Sequence, residues 1–231
     1  MLFLIPNLLA ADTHKQVLPE YIWTTIKEIK YFIVEDTRNA RRYISSLRLG
    51  LKIEDLVFFE MGKHSNFENL SEAFALLDKG ENVGLISEAG CPAVADPGAR
   101  IVAWCQQKDI RVVPMVGASS LLLALMASGF NGQGFAFQGY LPIDKKERAE
   151  KIKKLEKLVY QDKQTQIFIE TPFRNDSMLE SVLQTCQNQT LLCIAANLTA
   201  QDEWVKTKSI AYWRKNKPSL HKIPCVFLLF A

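Results

Sequence analysis

The first part of the chain alternates short apolar runs with segments of helical pattern, and this alternation limits the folds that it can adopt. The runs are LFLI at 2–5, YFIVED at 31–36, LVFFEM at 56–61, NVGLIS at 82–87 and RVVPM at 111–115. They are rich in β-branched and aromatic residues, which indicates strands. Strands that are apolar on both faces, with helices between them, are typical of a parallel sheet covered on both sides.

The remaining part of the chain supplies a second set of elements. An apolar helix spans ASSLLLALMASGF at 118–130, and a long charged helix starts near Asp144. Strands are expected at FAFQGYL, TQIFIET, LLCIAANL and IPCVFLLFA. Two consecutive sets predict an α/β protein of two domains, residues 1–116 with a mostly parallel sheet and residues 117–231. Each domain is expected to be a sheet flanked by helices, with the ligand site in a cleft between them.

Composition excludes several classes of protein. A formal charge of +3 on 231 residues does not by itself indicate nucleic-acid binding, so a basic surface would have to be local. No apolar run reaches the roughly 18 residues that span a bilayer, and the N-terminal run lacks a basic region. We therefore expect a cytoplasmic protein without membrane association. Five cysteines without a CxxC pair predict buried thiols and no metal site.

Loops that follow the strands are the candidates for chemistry, because ligands of parallel sheets bind at the carboxyl ends of strands. PNLLA after the first strand has no glycine-rich turn, and no GxxxxGKS/T motif occurs, which argues against a dinucleotide or P-loop site. In EDTRNARR, Thr37 is a candidate helix cap. Arg38, Arg41 and Arg42 share one helix face, which is either solvated or able to meet phosphates. GKHSN after the third strand contributes His64.

Two Gly/Pro turns occur in SEAGCPAVADPGAR, which follows the fourth strand. Gly90 and Gly98 allow close backbone approach, and Asp96 is a candidate cap for the following helix. Cys91 has no nearby histidine partner, so a small turn-filling residue is a better interpretation than a nucleophile. VGASS after the fifth strand opens a helix, whose start either is capped by serine or receives a polar ligand group.

Six motifs in series resemble those of the tetrapyrrole-methylase-like methyltransferases, and more narrowly of the branch that methylates a ribose in small-subunit ribosomal RNA. That branch reads EDTR, SDAGTPxISDPG and VVPxPGPSA where this chain reads EDTR, SEAGCPAVADPG and VVPMVGASS. It continues GFLPRKKxER, ESPHR or ETPHR, and ELTK where this chain reads GYLPIDKKER, ETPFR and NLTA. The order and spacing match over most of the chain.

The resemblance implies two α/β domains, S-adenosylmethionine in the cleft between them, and a homodimer. Backbone groups of the fourth-strand loop would hold the cofactor, closed in by residues of the later loops. The expected cofactor contacts are Ser87, Gly90, Cys91, Pro92, Val94, Ser119, Ser120, Thr171, Pro172, Asn197, Leu198 and Thr199. Asp36 is the candidate base or acceptor-orienting group, with Arg38 and His64 as substrate contacts.

Several positions depart from the family pattern, and they keep three functions open. The family's TPIGN loop is PNLLA here, Cys91 replaces Thr, Phe173 replaces His, and Asn197 replaces Glu. Methylation of ribosomal RNA in the small subunit is the first hypothesis, with the basic helix at 145–157 either solvated or part of a phosphate-binding rim. The alternatives are methylation of a tetrapyrrole precursor or other small molecule, and a non-catalytic RNA- or protein-binding relative.

Overall fold

The computed structural model describes residues 1–61 and 70–231 and contains two compact units, Met1–Ser119 and Ser120–Ala231. The chain passes from one unit to the other a few residues beyond the boundary predicted from the sequence. No helix of the described residues is long and apolar enough to cross a membrane.

The first unit is built on a parallel sheet with strand order β3-β2-β4-β1-β5. Its strands are β1 (Leu2–Ile5), β2 (Tyr31–Val34), β3 (Val57–Glu60), β4 (Val83–Ile86) and β5 (Val112–Pro114). Its helices are α1 (His14–Val17), α2 (Glu20–Glu28), α3 (Thr37–Ser46), α4 (Ser71–Asp78) and α5 (Ala99–Gln107), with a 3-10 turn at Ile53–Asp55. The predicted parallel sheet is confirmed.

Apolar side chains cover both faces of this sheet, as the sequence pattern requires. Ile22 and Ile26 of α2 and Ile44 of α3 pack on one face. Leu77 of α4 and Ile101 of α5 pack on the other. All four residues of the central strand β4 are buried, so the loops at its carboxyl end start from a rigid base.

The second unit contains a mixed sheet with strand order β6-β7-β10-β8-β9. Its strands are β6 (Phe135–Tyr140), β7 (Thr165–Ile169), β8 (Leu191–Ala196), β9 (Trp204–Ser209) and β10 (Cys225–Phe230). Its helices are α6 (Ser120–Ser128), α7 (Lys145–Asp162), α8 (Asn175–Thr185) and α9 (Ile210–Lys215). β6 and β7 are parallel, whereas the other neighbouring strands run antiparallel. The predicted α/β unit with a helix-flanked sheet is confirmed.

The basic helix α7 has an exposed basic face and a buried polar seam, which is formed by Arg148 and Glu156. Arg148 is buried and donates from Nε to Ser181 Oγ (3.0 Å) and from Nη2 to Ser177 Oγ (3.1 Å), which ties α7 to α8. Glu156 is also buried and accepts from the Gln187 amide at 2.7 Å. The exposed lysines are Lys145, Lys146, Lys153, Lys154 and Lys157. The helix is therefore neither wholly solvated nor wholly available to a partner.

Candidate functional site

Asn7 joins the loops that follow β1 and β4 at the carboxyl edge of the first sheet. Its Nδ2 donates to the carbonyl oxygens of Ser87 (2.8 Å) and Glu88 (3.1 Å), and its backbone N–H donates to Gly90 O at 2.8 Å. The side chain is almost wholly buried. PNLLA, although it lacks glycine, thus fixes the loop of the SEAGCP motif.

Left-handed backbone conformations shape the loop after β4. Gly90 has φ +69°, and the non-glycine residues Ala93 and Ala95 have φ +65° and +59°. A Cβ at Gly90 would lie 3.2 Å from Leu9 Cδ2 and 3.4 Å from Ala118 O, so the position favours glycine on two grounds. Such conformations are uncommon for alanine and occur in loops whose amides form concave sites for anionic groups. The loop after β4 is therefore shaped by its backbone conformations, with glycine favoured at position 90.

The Asp96 side chain forms hydrogen bonds within this loop. It does not cap α5 as predicted, because it accepts from none of the amides in the first turn of that helix. Its Oδ1 accepts from Ala93 N (2.9 Å) and Gly98 N (2.7 Å), and Gly98 is itself the N-cap residue of α5. Burial raises the pKa of the Asp96 carboxyl above its ordinary value, and the two amide hydrogen bonds oppose that shift. The carboxylate oxygen therefore stabilises the turn by two hydrogen bonds to its backbone.

Two substitutions at Asp96 are expected to distinguish the contribution of its hydrogen-bonding oxygen to stability from the contribution of its charge. Asparagine keeps an acceptor for both amides, whereas alanine leaves two partly buried N–H groups unpaired and lowers the free energy of unfolding by about 1–3 kcal/mol. Because the pKa is raised in the folded protein, the wild type loses stability relative to Asp96→Asn as pH rises through the carboxyl titration. Urea unfolding of the three proteins between pH 4 and pH 7 measures this, and an alanine variant as stable as wild type would contradict it.

Cys91 ties the loop after β4 to the segment that follows β5. Its Sγ lies 3.5 Å from Ala118 O and 3.8 Å from Gly117 O. Burial raises the pKa of the thiol above its ordinary value, which favours the neutral form and disfavours a nucleophile. The turn-filling interpretation of Cys91 fits this geometry. The same segment leads to Ser119 and Ser120, which are half-buried at the start of α6.

The EDTR loop after β2 is connected to the same edge. Asp36 is the N-cap of α3, and its Oδ1 accepts from Asn39 N at 2.7 Å. Thr37, the cap predicted from the sequence, is instead the first residue of the helix, and its amide donates to Glu60 Oε2 at 3.0 Å. The carboxylate of Asp36, one residue earlier, is placed to reach the amide three residues on.

Glu35 and Glu88 extend this connection to the loop after β4. Glu35 Oε1 accepts from Glu88 N at 3.2 Å, and Glu88 Oε2 accepts from Asn39 Nδ2 at 2.6 Å. Burial raises the pKa of the Glu35 carboxyl above its ordinary value, and the charges of Asp96 and Glu88 add to that effect. The carboxylates of Glu35 and Glu88 thus lie beside the predicted cofactor loop.

The predicted arginine face of α3 is exposed. Arg38, Arg41 and Arg42 all lie on the surface, and the Arg41 guanidinium sits 5.3 Å from the centre of the Phe58 ring. Arg41 and Arg42 line a shallow surface depression with Ser45. His64, the third predicted substrate contact, falls in 62–69, outside the described residues.

The predicted contacts in the second unit lie at the ends of β7 and β8. The segment before β10 forms hydrogen bonds to both of these strand ends. Lys222 N donates to Pro172 O at 2.9 Å, and Asn197 N donates to Pro224 O at 3.0 Å. Thr171 and Pro172 are half-buried, whereas Leu198 is buried. The ETP and NLT loops therefore meet at one edge of the second sheet.

Thr199 combines a strained backbone with an unsatisfied hydroxyl. Its φ of +73° is unusual for a β-branched residue, and neighbouring Asn197 has φ +49°. Its Oγ1 is buried and has no hydrogen-bond partner among the described residues. Conformations of this kind cost about 1–3 kcal/mol and cluster at ligand sites. A polar ligand group would satisfy the Thr199 hydroxyl.

Glu170 is a second buried group at this edge. Its Oε1 accepts from Thr171 N (2.6 Å) and from Arg174 Nη2 (2.6 Å), while Oε2 is buried and unpaired within the part of the chain that the structure describes. Glu170, Asn7 and Glu35 were not predicted as site residues. Each is the first polar residue after a strand, and that position is the signal that could have identified them.

Ribosomal RNA small subunit methyltransferase I of Haemophilus influenzae is 31% identical over 208 residues, which are 89% of this chain and 70% of that relative. The chain belongs to the ribosomal RNA small subunit methyltransferase I family. This membership confirms the family predicted from the six motifs. No family model matches the chain.

Solved structures share the fold of this family member at low identity. The methyltransferase CobJ matches with a TM-score of 0.66 and 14% identity over 99% of this chain and 93% of its own. Uroporphyrin-III C-methyltransferase from Thermus thermophilus, in complex with S-adenosylhomocysteine, matches with a TM-score of 0.62 and 14% identity over 99% of this chain and 96% of its own. The predicted tetrapyrrole-methylase-like fold is confirmed.

Proposed function

We propose that the protein is an S-adenosylmethionine-dependent methyltransferase that methylates the 2′-hydroxyl of a ribose in small-subunit ribosomal RNA. The observation that carries this proposal is the alignment with a ribosomal RNA small subunit methyltransferase I over 89% of the chain. The EDTR and SEAGCPAVADPG loops meet at one sheet edge through the Glu35–Glu88 hydrogen bond. Two of the motifs that carry the family resemblance are therefore adjacent in the fold.

The residues present fit the cofactor that the family implies. S-adenosylmethionine supplies an electrophilic methyl group on a sulfonium when bound. Main-chain groups at Gly90–Val94 would hold its amino-acid part, since left-handed residues in this loop form a concave backbone surface. The buried hydroxyl of Thr199, which has no partner among the described residues, is a further proposed contact. The remaining proposed contacts are Ser87, Ser119, Ser120, Thr171, Pro172, Asn197 and Leu198.

Methylation of a hydroxyl requires an acceptor for its proton, and Asp36 is the proposed base. The residue is fixed at the N-cap of α3 by its bond to Asn39 N, so its carboxylate is pre-oriented beside the cofactor loop. Arg38 and His64 are proposed to bind the RNA. Holding the ribose oxygen and the methyl group in line supplies the larger part of the rate enhancement.

Exposed lysines of α7 are proposed to bind the phosphate backbone. Lys153, Lys154 and Lys157 lie on the exposed face of the helix, whereas Arg148 belongs to its buried seam. Together with Arg38, they would supply a salt-sensitive and sequence-independent part of the affinity. Because ribosomal RNA is the proposed substrate, we also propose a cytoplasmic location.

A homodimer is also proposed, with α6 in the interface. Leu122 and Met126 are one helical turn apart on α6 and are 51% and 78% exposed. Large apolar side chains that share one helix face and remain exposed are typical of association surfaces. The mass of the purified protein in solution, measured by light scattering, tests this part of the proposal.

Two other functions make different predictions. A tetrapyrrole substrate carries carboxylates that Arg38, Arg41 and Arg42 would also bind, and the observation that favours this alternative is the fold shared with CobJ and uroporphyrin-III C-methyltransferase. A non-catalytic RNA- or protein-binding relative would keep the basic surface but not the cofactor. Titration with the cofactor separates the last reading from the other two.

Calorimetric titration with S-adenosylmethionine and S-adenosylhomocysteine is the test of the cofactor site. We expect binding in the micromolar range, about −8 kcal/mol, for the folded protein. The Thr199→Ala variant is expected to bind more weakly by about 1 kcal/mol because one hydrogen bond is lost. Absence of binding to well-folded wild-type protein would contradict the enzyme and favour a binding module.

A further inference from the structure

We propose that Phe173 is a stacking platform for one base of the RNA substrate, with Lys222 as the adjacent cation. The inference rests on the proposed function, because it assigns a substrate contact to the same protein. Phe173 stands where the family motif has histidine, immediately after Thr171 and Pro172. It therefore lies next to two of the proposed cofactor contacts.

Phe173 presents most of an aromatic ring at the surface. The residue is 69% exposed, although an apolar side chain of this size gains free energy by burial. The ring has two neighbours: the His221 ring is 6.0 Å away at an interplanar angle of 74°, and Lys222 Nζ lies over the Phe173 ring, 5.9 Å from its centre. The remaining surface of the ring is accessible to a planar ligand.

The backbone around the platform is held in place. Lys222 N donates to Pro172 O at 2.9 Å, which joins the segment carrying the cation to the loop carrying the ring. At the start of α8, Asp176 Oδ1 accepts from Leu220 N at 2.6 Å, and Asn175 Nδ2 donates to Ile223 O at 2.6 Å. A base that stacks here meets a pre-ordered surface, which reduces the entropy cost of binding.

An exposed aromatic ring beside a lysine matches the chemistry of single-stranded RNA. Bases stack on such rings irrespective of sequence, and a neighbouring cation contacts the phosphate that follows the base. The exposed Lys222 beside the ring complements a phosphate better than an apolar protein surface, whereas Arg174 is paired with Glu170. A ribose inside a duplex is difficult to present in line with the methyl group, and holding its base on Phe173 would present it.

The test compares Phe173→Ala and Phe173→Trp with a matched control, Phe135→Ala. Phe135 is an aromatic residue 42% exposed at the start of β6. Steady-state methylation of unmodified small ribosomal subunits gives KM and kcat, and calorimetry gives the affinity for S-adenosylhomocysteine. We expect Phe173→Ala to raise KM roughly 5-fold or more, Phe173→Trp to keep KM near wild type, and both to bind S-adenosylhomocysteine as wild type does. Phe135→Ala should leave KM unchanged.

The outcomes separate this inference from the proposed function. If wild-type protein does not methylate the subunit, the proposed function fails and the RNA platform fails with it. If wild type is active and Phe173→Ala keeps the wild-type KM, only the platform is overturned. A loss of S-adenosylhomocysteine binding in Phe173→Ala would also overturn it, because the ring would then support the cofactor loop. A protein ligand whose binding depends on Phe173 while RNA binding does not would likewise contradict the assignment.

Discussion

Replacement of Asp36 by asparagine is expected to lower kcat for ribose methylation by roughly 10²- to 10⁴-fold, the usual contribution of a general base. The substitution distinguishes a loss of proton transfer from a loss of the helix cap. Asparagine keeps a side-chain oxygen for the Asn39 amide, which Asp36 Oδ1 accepts at 2.7 Å, so α3 remains capped. Its NH₂ group cannot accept the ribose proton. Binding of S-adenosylhomocysteine and the thermal unfolding temperature should remain near the wild-type values.

Two further variants make this experiment decisive. Asp36→Ala removes the base and the cap together, so the same loss of kcat should appear with an added loss of about 1 kcal/mol in stability. Asp144→Asn changes an equivalent aspartate at the N-cap of α7, which accepts from the amides of Lys146 and Glu147. That control should leave kcat unchanged. Wild-type kcat in Asp36→Asn would remove Asp36 as the base and leave it a helix cap.

Introduction of a methyl group at Gly117 is expected to weaken cofactor binding at least tenfold and to lower the free energy of unfolding by about 1–3 kcal/mol. A Cβ at Gly117 would lie 2.2 Å from Pro6 Cβ and 2.5 Å from Pro6 Cγ. The Pro6 ring cannot rotate away, and its carbonyl is fixed by the Tyr43 hydroxyl at 2.7 Å. The segment after β5 must therefore move, and it carries Ser119 and the oxygens that contact Cys91.

Controls for Gly117→Ala are available within the chain. Gly132→Ala is the matched substitution, because a Cβ there would meet no atom within 4 Å. It should leave stability and affinity unchanged. Combining Gly117→Ala with Pro6→Gly removes the contacting ring atoms and should restore part of the lost affinity. An unfolding temperature and a dissociation constant like those of wild type in Gly117→Ala would contradict the tight packing of these loops.

The sequence predicted the first sheet well because its strands carry their signal locally. Leu18, Ile22, Ile26 and Ile29 likewise recur at helical spacing in the sequence, and all four are buried. The second sheet was harder to predict. Strand β9 was missed because Lys206 and Lys208 give it a polar face, as is common for edge strands. No strand direction was predicted for the second sheet, in which most neighbouring strands run antiparallel.

The loops of the candidate site could be predicted from the sequence, but the hydrogen bonds that join these loops could not. The EDTR and SEAGCP motifs identified segments that the structure joins, yet the joining atoms belong to Asn7, Glu35 and Glu88, to which no role was assigned. Hydrogen bonds between residues far apart in sequence leave no local pattern. The strained φ of Thr199 and its unpaired hydroxyl were likewise invisible in the sequence, although its motif indicated the position.

Methyl transfer to unmodified small ribosomal subunits tests the central claim most directly. Purified protein would be incubated with the subunits and S-adenosylmethionine labelled in its methyl group, and the RNA would then be treated with alkali. A 2′-O-methyl group blocks cleavage of the adjacent phosphodiester, so we predict label in one alkali-resistant dinucleotide. Label in mononucleotides would indicate base methylation. No label in RNA, from protein that binds S-adenosylmethionine, would contradict the account and direct the search to a small-molecule acceptor.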